Sequence, residues 1–205
     1  LLTPLSKSIY TIESSSTFVQ VIKNIKVPEG YEMISFDVES LFTNVPLEYT
    51  IDIVLNKIYV ENKINTKIKR NDMKNILYLC TKNVPFTFNG NMFLQVQGVA
   101  MGSPLGPLLA NVFMCQLENS LIPSLSNIID FWVRYVDDTF AIVKKGKENE
   151  VLDSINAYHP NIKFTFEKEK ENSIAFLDVL VKRNSEHQLN TCIYRKPTNT
   201  NIYIN

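Results

Sequence analysis

Three aspartates equip this sequence for metal chemistry. Asp37 lies near the end of an alternating segment, residues 31–38, in which Ile34, Phe36 and Val38 fall on one side and Met33, Ser35 and Asp37 on the other. Asp137 and Asp138 stand together between two strongly apolar, β-forming flanks, residues 129–135 and 139–143. An Asp-Asp pair in a turn is common and on its own reads more readily as a polar turn. At the tip of a hairpin anchored in a sheet, the same pair can meet a carboxylate from another strand. Clustered carboxylates raise one another's pKa unless a cation sits among them, so a converging set points to metal. Magnesium takes hard oxygen ligands and keeps several waters, so two or three carboxylates suffice. Two such ions about 4 Å apart activate an attacking oxygen and clamp a triphosphate with its leaving group. The chemistry these residues suit is nucleotidyl transfer.

The elements around them read as α+β. Ser14-Ser15-Ser16 before Phe18, Val21, Ile22 and Ile25 predicts a capped amphipathic helix, closed by Pro28-Glu29-Gly30. Residues 31–38 are strand-like. Pro46 opens a helix with Leu47, Ile51, Val54, Leu55 and Ile58 as its apolar stripe, and another is expected over about 71–82. Asn89-Gly90 between residues 84–88 and 91–97 is a hairpin signal. A Gly/Pro-rich loop, 98–107, leads to a helix over about 108–120. A helix near 148–158 and strands at 162–167, 174–182 and 189–195 complete the pattern. Hairpins rather than strict βα alternation make the mixture α+β.

Composition narrows the class. The chain has 205 residues, 45% of them hydrophobic and 20% charged, which is ordinary globular composition. No run approaches the roughly 18 apolar residues of a membrane span, since Asn111 and Gln116 interrupt the best candidate. Cys80, Cys115 and Cys192 are too scattered for a disulfide framework or zinc site, and His159 and His187 lack ligand spacing. Lys+Arg and Asp+Glu balance at 21 each, although nucleic-acid binders usually carry a positive surplus. The charge is uneven, with basic stretches at 57–74 and 144–147. The chain begins at Leu1 rather than Met and is expected to be intracellular and part of something longer.

Three segments resemble the motifs of reverse transcriptases, in the family's order. Phe36-Asp37-Val38-Glu39-Ser40-Leu41-Phe42 resembles motif A, Met101-Gly102-Ser103-Pro104-Leu105-Gly106-Pro107-Leu108-Leu109-Ala110-Asn111 motif B, and Tyr135-Val136-Asp137-Asp138 motif C. Finer features are similar to the Penelope-like retroelement branch. They are Phe42-Thr43-Asn44-Val45-Pro46, Gly98-Val99-Ala100-Met101-Gly102-Ser103-Pro104, Ala175-Phe176-Leu177-Asp178-Val179 and Tyr194-Arg195-Lys196-Pro197-Thr198. The resemblance covers residues 10–205.

That resemblance implies a right-hand polymerase palm over residues 1–205, a three- or four-stranded antiparallel sheet backed by helices, with incomplete fingers and thumb and residues 185–205 leading toward the thumb. It implies RNA-directed DNA synthesis with two Mg²⁺ ions, for which Mn²⁺ can substitute. The implied partners are an RNA or DNA template with a DNA primer, and deoxynucleoside triphosphates. No membrane is involved, and a nuclear location is expected. Asp37 and Asp137 would be metal ligands, with Val38 in the ligand set and Asp138 as the second or weaker carboxylate. Backbone amides of Val38, Glu39, Ser40 and Leu41 would cradle the triphosphate. Phe42 matches the gate that crowds a ribose 2′-hydroxyl.

Met101 and Gly102 would meet the incoming nucleotide. Met101 stands where many reverse transcriptases have Gln and gives no amide hydrogen bond. Gly102 and Gly106 would let backbone approach the base pair. Lys168 or Lys170 falls where motif D supplies a general acid, although residues 167–171 read equally as a solvated loop. Phe176, Leu177 and Asp178 resemble the primer grip. The alternatives are a viral RNA-dependent RNA polymerase palm and an inactive remnant acting as a binding module. Tyr135-Val136 before the Asp pair and Phe42 at the gate weigh against the first. With fingers and thumb holding the substrates, the isolated chain is expected to show little or no activity.

Overall fold

The structure, a computed structural model, describes residues 2–100 and 102–195. Met101 and Lys196-Pro197-Thr198 lie outside the described residues. Helix α1 (Ser15–Ile22) starts where the serines predict, with the Ser14 hydroxyl accepting the Thr17 N–H at 3.1 Å. The alternating segment forms β1 (Tyr31–Val38). A single turn, α2 (Leu41–Asn44), and then α3 (Leu47–Tyr59) and α4 (Arg70–Thr81) follow. Strands β2 (Val84–Phe88) and β3 (Asn91–Gln95) form the Asn89-Gly90 hairpin. Both turn residues have positive φ, as a two-residue type I′ turn requires.

Helix α5 (Leu105–Leu121) begins three residues before the expected start. Pro107 falls in its first turn, where the missing N–H removes no helix bond. Next come β4 (Ile129–Tyr135), β5 (Asp138–Lys144), α6 (Glu148–Asn156) and β6 (Phe164–Lys168). Residues 174–182, read as one strand, are instead a hairpin of β7 (Ser173–Phe176) and β8 (Val179–Arg183), with Leu177-Asp178 at the turn. Leu177 has φ 56°, a conformation its side chain does not advertise. Strand β9 (Leu189–Ile193) completes a second sheet, β7-β8-β9.

The main sheet has the order β4-β5-β1-β6, antiparallel throughout. It lies between two cores. On one face Ile34, Phe36 and Val38 of β1 and Ala141 and Val143 of β5 pack on α3, α5 and α6 through Ile51, Val54, Phe113, Leu117 and Ile155. On the other, Met33, Phe140 and Ile142 pack on α1 and the second sheet through Phe18, Ile22, Phe176 and Val181. Phe18 sits 4.6 Å from Phe176 and 5.1 Å from Phe140, centroid to centroid, and so ties the second sheet to the first. Among the described residues, no helix is long and apolar enough to cross a membrane.

Candidate active site

Strands β1 and β5 pair from Tyr31↔Lys144 to Phe36↔Thr139. One further step along each brings Asp37 level with Asp138. On its other side Asp37 pairs with Thr165 of β6. Residues opposed across an antiparallel pair share a face and have Cβ atoms about 4.5–5.5 Å apart. Asp37 therefore stands beside Asp138 on the face that also carries Met33, Phe140 and Ile142.

Asp137 occupies the turn itself. Tyr135 pairs with Asp138, which leaves Val136-Asp137 as a two-residue connection. Val136 has φ 55°, in the left-handed region. A β-branched residue there stores on the order of 1–3 kcal/mol, strain that persists only where the surroundings enforce it. Asp37 and Asp138 open onto a cleft of about 540 Å³, shared with Ser35, Thr165, Phe176 and Leu177. The tip of the β7–β8 hairpin thus faces the carboxylates across the cleft.

Among the described residues, no group of three or more His, Cys, Asp and Glu side chains is arranged to hold a metal ion. Asp137 rides on the turn, while Asp37 and Asp138 project from strand ends. The donors nonetheless suit magnesium: oxygen ligands only, brought to one sheet end, with Asp37 exposed to water.

A sequence model of the family described as reverse transcriptase (RNA-dependent DNA polymerase) matches residues 2–191. The chain belongs to the reverse transcriptase family. No curated protein matches it. Among solved structures, the telomerase of Candida albicans in complex with a fragment of telomeric RNA aligns at TM-score 0.70 and 13% identity, over 94% of this chain and 37% of that one. Apo telomerase of Candida tropicalis, truncated of its C-terminal domain, aligns at 0.66 and 16% identity, over 94% and 43%. The RNA-dependent RNA polymerase of a human picobirnavirus aligns at 0.57 and 10%, over 94% and 36%. The chain spans less than half the length of these proteins. At such identities the likeness is one of fold, an α+β polymerase palm.

Within this reverse transcriptase palm, other expected site residues fall into place unevenly. Phe42 is half-buried against the helix-side core. Its carbonyl accepts the Val99 N–H at 2.7 Å, joining the segment after Asp37 to the glycine loop. Of the amides expected to cradle a triphosphate, that of Glu39 is already committed, donating to the Lys163 carbonyl at 2.9 Å. Val38 pairs with Phe164 in the sheet. The two motif B glycines differ. A Cβ on Gly102 would meet open space, whereas one on Gly106 would sit 2.6 Å from the Ala100 carbonyl oxygen. Gly106 is a packing glycine, and Gly102 is the one that leaves room for an approaching group.

Phe176 is buried in the aromatic core, so its first role is to hold the second sheet. Leu177 is partly buried and Asp178 exposed at the hairpin turn.

Lys168 stands on a different face. It pairs with Ile34 in the sheet, three residues along β6 from Thr165, and so shares the helix-backed face rather than that of Asp37. Its ammonium is bonded to Glu148 at the start of α6 and lies 3.5 Å from Glu32. The alternation of a strand turns it away from the carboxylates. Lys170 is exposed and bridges to Ser173 through its backbone. Lys163 lies at the end of β6 that adjoins Glu39.

Burial pushes the Glu148 carboxyl up, but the bond and charge of Lys168 together with backbone N–H bonds outweigh it and hold the pKa below the usual range. The same bond raises Lys168. A depressed carboxyl contributes stability above its unfolded pKa, about 4.3, and loses it as pH falls through the folded value. A raised lysine contributes below about 10.4 and loses it as pH rises beyond. Replacing Lys168 with Met should therefore lower the melting temperature near neutral pH, with the gap closing below about pH 4. Removing a general acid costs about 10²–10⁴-fold, whereas Lys168→Met is expected to leave the extension rate within about threefold. Melting curves at pH 3–7 and a primer-extension assay check both halves.

Spacing alone does not single out Arg134 or Glu118. The signal available in the sequence is a charge inside an apolar run, in β4 and α5 respectively. Both side chains are fully buried and paired directly behind the Asp137-Asp138 turn.

Proposed function

We propose that this chain is the catalytic palm of an RNA-directed DNA polymerase of Penelope-like retroelement type. The observation that carries this reading is the sheet register, which brings Asp37 level with Asp138 beside a hairpin turn occupied by Asp137. The family match and the motif order support it. The working enzyme takes an RNA or DNA template with a DNA primer and deoxynucleoside triphosphates.

Asp37 and Asp137 would hold two Mg²⁺ ions, with Mn²⁺ able to substitute, with Asp138 beside them and the Val38 carbonyl in the ligand set. When bound, the ions activate the primer 3′-oxygen and neutralise charge on the triphosphate and leaving group. The protein's own part is position. The β1 and β5 ladders fix Asp37 and Asp138, and the turn presents Asp137. Leu177 and the β7–β8 turn support the primer end across the cleft. Phe42 crowds the sugar, and Gly102 leaves room for the nucleotide.

The full-length protein should extend a DNA primer on RNA with Mg²⁺ and deoxynucleotides. Extension confined to ribonucleotides would reject the reading in favour of an RNA polymerase, whose palm shares this fold. Phe42→Ala should raise ribonucleotide incorporation by about 10–200-fold, the range that a lost apolar contact of about 1–3 kcal/mol accounts for. Competition between deoxynucleotide and ribonucleotide in single-nucleotide extension measures it. Unchanged selectivity would remove Phe42 from the gate.

A further inference from the structure

Behind the Asp137-Asp138 turn lies a polar network inside an otherwise apolar core. Arg134, two residues before Val136, has no solvent exposure. Its Nε and Nη2 donate to the two carboxylate oxygens of Glu118 at 2.7 and 3.1 Å. Nη1 donates to the Asn111 side-chain oxygen and to the Val136 carbonyl, both at 2.8 Å. Nη2 also reaches the Cys115 sulfur at 3.6 Å. A guanidinium has five N–H donors, and all five are engaged. Glu118, equally buried, also accepts from the Trp132 indole N–H at 3.2 Å and the Ser8 hydroxyl at 3.3 Å.

The geometry has a direction. Asn111, Cys115 and Glu118 lie on α5 at spacings of four and three, so they share one helix face. They fix the guanidinium plane from three points. The remaining donor reaches out of the helix–strand contact to the carbonyl of Val136, the residue held at positive φ. Cohesion does not explain the arrangement, because a buried ion pair is often matched or exceeded by apolar residues of similar volume. A planar fork held rigidly on one side and bonded to a strained carbonyl on the other is a positioning device.

We infer that Arg134 is a positioning residue that locks the Val136 carbonyl against α5 and so aims the Asp137 and Asp138 carboxylates. Glu118 and Asn111 hold Arg134 in register. The inference rests on the polymerase reading of this turn. It also makes α5, which begins at the glycine loop, the common reference for that loop and the carboxylates.

The test is Arg134→Met with Glu118→Gln in the full-length protein. The pair removes both buried charges and leaves an acceptor for Trp132. Three measurements are compared with wild type: melting temperature, amide hydrogen exchange at residues 136–139, and primer extension as a function of Mg²⁺. The expected result is a near-native melting temperature, faster exchange confined to the turn, and a kcat lower by about 10²-fold, the cost of misplacing reacting groups by about 1 Å. The Mg²⁺ concentration for half-maximal rate should rise as well. A folded double variant with native exchange and native Mg²⁺ response overturns the inference and leaves Arg134 a packing residue. Should the double variant not fold, Arg134→Lys, which keeps a cation against Glu118 but lacks the fork, is judged by the same measurements. The exchange readout needs no activity, so it decides the clamp even if Asp137→Asn shows that the turn is not catalytic.

Discussion

Asp137→Asn in the full-length protein is expected to abolish primer extension while leaving the fold intact. Asparagine matches aspartate in shape and keeps one oxygen, but it carries no charge. The turn can retain its geometry, because Tyr135 still pairs with Asp138 and Val136 still sits at φ 55°. What is lost is an anionic oxygen ligand, worth several kcal/mol at a magnesium site. About 4 kcal/mol corresponds to roughly 10³-fold in rate. Asp37→Asn should behave alike, and Asp138→Asn should cost less. Asp130→Asn is the control, an exposed carboxylate at the far end of β4. Extension by Asp137→Asn within tenfold of wild type, at equal melting temperature, would sink the assignment.

The second large effect lies outside the carboxylates. Gly98→Ala is expected to destabilise the protein severely and to take activity with it. Gly98 has φ +70°, and a Cβ there would sit 2.4 Å from the Thr43 carbonyl oxygen and 2.5 Å from that of Phe42. All the nearest atoms are backbone, so no side chain can swing aside. Overpacking costs about 1–3 kcal/mol or more, and the left-handed conformation adds about 1–2. A total of about 2–5 kcal/mol lowers the melting temperature by roughly 10 °C in a chain of this size. The same contact includes the Val99 N–H bond to Phe42, so the clash pushes Phe42 away from the loop. Gly102→Ala is the informative contrast. Its Cβ meets nothing within 4 Å, so the fold should stand and any loss should appear in nucleotide KM. Melting curves and steady-state kinetics on the two variants separate packing from substrate approach.

Much of the frame was legible in the sequence for local reasons. Alternation over residues 31–38 put Asp37 on the face opposite Phe36 because side chains alternate along a strand. The apolar flanks of Asp137-Asp138 are β-forming on both sides, so the pair had to lie near a hairpin tip. Asn89-Gly90 marked its turn because both residues tolerate positive φ. In each case the physical cause sits within a few residues of its effect, and pattern is enough to reveal it.

Tertiary structure decided the rest, where the cause is remote in the chain. The level of Asp37 with Asp138 depends on the pairing of strands about a hundred residues apart, and a slip of one residue would have put them on opposite faces. Both faces of the sheet are covered, so composition could not tell which side Lys168 takes, and its register with Ile34 placed it away from the site. The Leu177-Asp178 turn carries no Gly or Asn, and packing of Phe176 on Phe18 imposes a conformation its residues do not prefer. The Arg134 network joins side chains from two elements into one saturated set, and no spacing rule encodes it. For this protein, the sequence by itself determined which carboxylates exist and that two of them lie near a hairpin tip. Only the folded sheet and α5 decided how those carboxylates are aimed, because aim depends on register and on buried contacts between distant segments.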